Sequence, residues 1–153
     1  MKTLPDLLAE YGESHTDHTN KLIHFICVPA IFWSICGILH TIKWNQLSPG
    51  ILNGLDFPAL MAVLIYYFRL SAKLSAGFLL WGIVCMAICS GIESNSLPLF
   101  SIALSVFAAA WTGQFIGHHI EGKKPSFLKD LQFLLIGPAW IMQFIYNNLG
   151  FKL

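Results

Sequence analysis

Four stretches of about twenty residues carry no charge at all: Ile23 to Ile42, Leu74 to Ile92, Leu97 to Gly117 and Leu131 to Leu149. A helix needs about 20 apolar residues to cross the hydrocarbon core of a bilayer. Hydrocarbon offers a peptide group no partner, so a uniformly apolar run without period-two alternation must pair its backbone internally, as a helix. The expected fold is therefore all-α, a multi-pass transmembrane helical bundle. A further run, Phe57 to Phe68, has 12 residues between Asp56 and Arg69 and spans only if Gly50 to Asp56 extends it; otherwise it is re-entrant or interfacial. This gives four to five spanning helices. Composition agrees, with 56% hydrophobic residues, 11% charged residues and a mean hydropathy of +0.64, far from a soluble balance. The competing reading is a soluble protein with these helices wholly buried. Pro29 and the Gly137-Pro138 pair are expected to kink their helices or to mark a break that lines a cavity.

The first 22 residues are polar, and the apolar run after them is too long for a signal core and lacks a small-residue cleavage site, so no secretory signal is expected. Residues 1–15 instead read as a short amphipathic N-terminal helix, with Leu4, Leu7, Leu8 and Tyr11 at helical spacing beside Asp6, Glu10 and Glu13. No repeat, linker or low-complexity tract divides the chain, which gives one domain over residues 1–153.

With five crossings, Lys2, Lys21, Arg69, Lys73, Lys123, Lys124 and Lys129 fall on the amino-terminal side and only Lys43 and Lys152 on the other. The positive-inside rule places that side in the cytoplasm. The same bookkeeping puts His15, His18, His24, His118 and His119 together at the cytoplasmic face and leaves His40 opposite, as an interfacial partner of headgroup or backbone. Such clustering, from two regions far apart in sequence, is what a shared metal site requires.

Neutral imidazole is a common ligand of iron, zinc and copper, and ionisable groups at bilayer depth are costly enough to imply function. Three or four histidines would hold iron with open positions for substrate and oxygen; Glu121 or Asp17 would complete a two-histidine, one-carboxylate set. Glu121 has a plainer reading too, as a surface partner of Lys124. Asn20 and His24 share a helix face, as do His15 and His18, whereas His15 and His24, nine apart, fall on opposite faces of a straight helix. Either the helix breaks between those two, or one of them serves a second metal or an outer shell. Cys27, Cys36, Cys85 and Cys89 all lie in apolar runs and read as buried packing thiols. A P-loop, a dinucleotide glycine pattern, a GxSxG elbow and a basic tract are all absent, which argues against nucleotide-driven transport and nucleic-acid binding.

The stretch YGESHTDHTNKLIHFICVP, with Tyr11, His15, Asn20, His24 and Pro29, resembles the opening motif of the Mpo1-like proteins, and WTGQFIGHHIEGKKPSFLKDLQFLLIGP, Trp111 to Pro138, resembles that family's second motif. The likeness covers nearly the whole chain, and Cys27 stands where many relatives have glycine. The resemblance implies an iron(II)-dependent dioxygenase that removes one carbon from long-chain 2-hydroxy fatty acids in α-oxidation, in fungi within the endoplasmic reticulum. It implies Fe(2+) as cofactor, with His15, His24 and His118 as the best candidate ligands, His18 and His119 as further metal candidates, and Asn20 and Gln114 in support. Gln114, Lys123 and Lys124 are the expected substrate contacts, the lysines by attracting the carboxylate. Expected partners are the 2-hydroxy acid, O2 and the bilayer, with a homodimer compatible with a small bundle; the membrane is the inner membrane in a bacterium and the endoplasmic reticulum in a eukaryote. Three alternatives stand beside this reading: a metal- or proton-coupled transporter, a non-catalytic lipid-binding membrane protein, and a zinc hydrolase.

Overall fold

The computed structural model describes residues 3–13, 15–44, 52–123 and 133–151. They form six helices: α1 (Leu4–Glu13), α2 (His18–His40), α3 (Asp56–Leu70), α4 (Ala72–Ser94), α5 (Leu99–Glu121) and α6 (Phe133–Asn148). The all-helical expectation holds among the described residues, where one isolated bridge, Lys43 to Gly54, stands outside the helices. Three helices, α2, α4 and α5, each of 23 residues, are long and apolar enough to cross a membrane. The expected four to five compare with these three, because α3 has 15 residues and α6 has 16. The extension that α3 would need does not form in its described part. Leu55 N–H bonds the carbonyls of Leu39 and Ile42, so the chain before Asp56 folds back on the end of α2. Large apolar side chains point outward along these helices, with Ile26, Phe68 and Leu80 each 67% exposed. Water would penalise that surface and a lipid environment would not.

The chain divides into two compact units, residues 1–30 with 109–153 and residues 31–108, and α2 and α5 contribute to both. In the second unit the α3–α4 pair meets at aromatic rings. Tyr67 and Phe78, both fully buried, stack with centroids 3.9 Å apart and planes at 7°. Ser71 caps α4 by accepting from Leu74 N–H at 3.4 Å, and Ser75 donates to Leu64 O at 3.1 Å. Small residues set the closest approach: a Cβ on Gly37 would stand 2.9 Å from Ala103 Cβ, and one on Gly82 2.5 Å from Leu60.

The first unit is built on α1. Asp6 ties down its start: Thr3 N–H and Oγ1 both donate to Asp6 Oδ2, at 2.9 Å and 2.6 Å. Leu4, Leu7, Leu8 and Tyr11 are its buried face, as the spacing predicts, and they cover α6. Gly137 lies where a Cβ would come within 2.8 Å of the Tyr11 hydroxyl, so its lack of a side chain admits Tyr11. Neither Pro29 nor Pro138 interrupts its helix: both lie inside α2 and α6.

Candidate metal centre

α1 ends at Glu13 and α2 starts at His18, so the chain breaks between His15 and His24. Asp17 is the N-cap of α2, its Oδ1 accepting from Asn20 N–H at 3.0 Å. The break removes the objection of helical phase. His15, on the connecting turn, comes against His24 with ring centroids 4.3 Å apart, and His118 of α5 stands 5.1 Å from His15 and 4.9 Å from His24. All three are buried, at 1%, 0% and 4% exposure.

Local bonds fix the tautomers of two of these rings. His15 Nδ1 lies 2.7 Å from Tyr11 O and His24 Nδ1 2.9 Å from Asn20 O. A carbonyl only accepts, so each Nδ1 carries the proton and each Nε2 presents a bare lone pair. Those Nε2 atoms, with His118 Nδ1, are buried and meet no hydrogen-bond partner among the described residues. One ligand atom from each of the three rings lies within 4.8 Å of the others. Two nitrogens about 2.1 Å from one ion sit roughly 3.0–3.4 Å apart, so small side-chain rotations close the set on a metal. Buried lone pairs that converge without a donor cost free energy unless a cation takes them up. The donor set fits a transition metal.

Burial moves His15 toward the form a metal needs. Desolvation outweighs its hydrogen bond to Tyr11 and lowers its pKa below the ordinary imidazole value, which favours the neutral ring. The same burial raises the Tyr11 phenol, which stays protonated. Aromatic rings complete the wall. Tyr11 stacks on His15 at 4.2 Å and 15°, Trp140 lies 5.6 Å from His15, and Phe25 stacks on Trp140 at 5.7 Å.

The other expected site residues fall as follows. Asn20 is fully buried; its carbonyl holds His24 and its Nδ2 donates to Glu121 Oε2 at 3.0 Å. Gln114 is buried one helical turn before His118, and its Nε2 meets no partner among the described residues. His18 and His119 are exposed and lie outside the triad. Each step along a helix turns the side chain by about 100°, so His119 faces away when His118 faces in. Lys123 is exposed and donates to Glu13 O. Lys124 lies outside the described residues. Glu121 accepts from Thr16 N–H, Thr16 Oγ1, Asp17 N–H and Asn20 Nδ2, so both its oxygens are occupied. That, with Asp17 acting as a helix cap, leaves three histidines and no carboxylate in the cluster among the described residues. His40, expected at an interface, is instead fully buried, its Nδ1 2.8 Å from Asp56 Oδ2.

Two contributors lay beyond the sequence reading. Trp140 had no signal other than its place after Gly137-Pro138. Gly117 carried one, a small residue directly before His118: a Cβ there would stand 2.5 Å from Asn20 Oδ1.

The family described as 2-hydroxy-palmitic acid dioxygenase Mpo1-like matches residues 1–149. The chain is 31% identical over 147 residues to 2-hydroxy-palmitic acid dioxygenase MPO1 of Saccharomyces cerevisiae, covering 94% of this chain and 80% of the yeast protein. No solved structure matches it. On the extent of both matches, the chain belongs to the Mpo1-like family.

Proposed function

We propose that this protein is an iron(II)-dependent dioxygenase of long-chain 2-hydroxy fatty acids, shortening them by one carbon in α-oxidation, with His15, His24 and His118 holding the metal. The observation that carries the reading is the convergence of three buried ring nitrogens that meet no hydrogen-bond partner among the described residues, two of them with the tautomer fixed for metal binding. The yeast relative's name supports the substrate class. Iron(II) held by these three histidines would supply the Lewis acidity and the redox chemistry with O2 that oxidation of a 2-hydroxy acid requires.

The chain's own residues do the rest. Asn20 and Tyr11, through their carbonyls, keep His24 and His15 aimed inward. Gln114 Nε2, buried and with no partner among the described residues, donates to an acid oxygen and orients the head of the substrate. Tyr11, Trp140 and Phe25 exclude water, while the acyl tail runs along apolar helix surface open to lipid. The positive charges of Lys123 and Lys124 favour approach of the anionic carboxylate, and Lys123 is also engaged with Glu13 O. The conversion balances without an external reductant: R–CH(OH)–COOH and O2 give R–COOH, CO2 and H2O, the substrate yielding the four electrons that O2 takes up. In this reading the centre faces the cytoplasm, from the inner membrane of a bacterium or the endoplasmic reticulum of a eukaryote.

The test is metal replacement. Detergent-purified protein is stripped with a chelator, reloaded anaerobically with iron(II) or zinc(II), and supplied with 2-hydroxypalmitic acid and air. Mass spectrometry should find the acid one carbon shorter with iron and none with zinc. Equal turnover with both metals, or turnover in the stripped protein, would refute the iron assignment.

A further inference from the structure

Resting on the metal-centre reading above, we propose that Glu121 and Lys123 form a clamp that positions the third ligand. They hold the break between α1 and α2 in the one geometry that brings His15 to His24 and His118. Glu121 closes α5, three residues beyond His118 and hence on the same helical face. Its carboxylate takes four donors from the opening of α2: Thr16 N–H at 2.9 Å, Thr16 Oγ1, Asp17 N–H at 2.8 Å and Asn20 Nδ2 at 3.0 Å. Two residues on, Lys123 Nζ donates to the carbonyl of Glu13, the last residue of α1.

The charges match the helix ends they meet. An anion sits at the N-terminus of α2, where backbone N–H groups are unpaired, and a cation at the C-terminus of α1, where carbonyls are. Both helix ends are thus fastened to the segment that carries His118. His15 lies between the two fastenings, and it reaches the centre only while the turn at Thr16 and Asp17 is held. Through Asn20 the same carboxylate also steadies the carbonyl that orients His24. Glu121 is therefore a positioning residue and not a ligand.

Cobalt(II) titration of the full chain in detergent, followed by visible absorption, tests this without recourse to turnover. The expected result is one cobalt per wild-type chain. Glu121→Ala should bind about 10–100-fold more weakly, with a spectrum showing loss of a nitrogen donor. Glu121→Gln should fall between, since its amide oxygen accepts from Thr16 while its NH2 opposes the other donors. Thr16→Val, which keeps volume and removes one donor, should weaken binding least. Should Glu121→Ala lose its helical circular dichroism, the two milder variants decide. Wild-type protein that binds no cobalt would overturn the metal centre and the clamp together. Wild-type affinity and spectrum in Glu121→Gln and Thr16→Val, whether or not they melt earlier, would overturn the clamp alone.

Discussion

Replacing Gly117 with alanine adds one methyl group at the place where α5 touches Asn20. The new Cβ would stand 2.5 Å from Asn20 Oδ1 and 3.3 Å from Ile23 Cγ2, against an ordinary contact of 3.4 Å. Restoring that contact displaces Asn20 by about 0.9 Å, the difference between those two distances. Asn20 is fully buried, and its Nδ2 lies 3.0 Å from Glu121 Oε2, so a shift of that size along the bond breaks it. A hydrogen bond to a charged group is worth about 1.5–3 kcal/mol. Alanine is favoured over glycine within a helix by roughly 0.8–1.0 kcal/mol, which offsets part of the loss. Gly91 supplies the control, because a Cβ there meets nothing within 4 Å, and comparing the two alanine variants largely cancels the propensity gain. Gly117→Ala should therefore melt below Gly91→Ala by roughly 3–12 °C, at about 2–4 °C per kcal/mol. Tryptophan fluorescence melts in one detergent at one scan rate measure this difference, and cobalt affinity should fall in Gly117→Ala alone. A Gly117→Ala protein that melts with Gly91→Ala and binds cobalt like wild type would refute the account of Asn20.

His118→Ala should lose metal affinity by more than the about 10–100-fold that an outer partner costs, while His119→Ala keeps wild-type stoichiometry; equilibrium dialysis with iron(II) separates them. The pH dependence of the apo protein follows from His15, whose folded pKa burial lowers. Above the unfolded value near 6.5 the ring is neutral in both states. As pH falls through that value the unfolded chain binds the proton first, so stability is full above it and declines below. Melting temperatures of the apo protein should thus drop as pH is lowered from about 7, and His15→Ala should flatten that drop. Asp56→Ala strips a fully buried His40 of its partner at 2.8 Å. It should cost about 1–3 kcal/mol, the penalty of leaving a buried polar group unpaired, readable as a fall in Tm, with cobalt binding at the triad retained.

The helices were legible because length and absence of charge suffice to define them in lipid. Their ends were less so. α3 begins only at Asp56 because Leu55 bonds back to Leu39 and Ile42, a tertiary choice that no local pattern announces. In the site, phase arithmetic left a choice between a helix break separating His15 from His24 and separate roles for the two; the structure has the break, and Asp17 with Asn20 supplies its cap. The arithmetic did not say which of two adjacent histidines faces inward. α5 is apolar all round, so its sequence marks no buried stripe, and His118 and His119 look alike until packing chooses between them. Glu121 was legible only as a possible ligand or a partner of Lys124, because its actual donors, Thr16, Asp17 and Asn20, lie more than a hundred residues earlier. His40 was placed at an interface for the same reason: Asp56 reaches it only through the return of the chain after α2.

The proposed reaction requires three buried histidines to hold the metal at which O2 oxidises a 2-hydroxy acid. An oxygen electrode tests it most directly, with the iron(II)-loaded protein in detergent, 2-hydroxypalmitic acid added last, and His24→Ala run beside wild type. One O2 should be consumed for each substrate molecule lost, with no substrate-dependent uptake by His24→Ala. Substrate-dependent uptake that survives in His24→Ala, or none in wild-type protein that retains its iron, would contradict it.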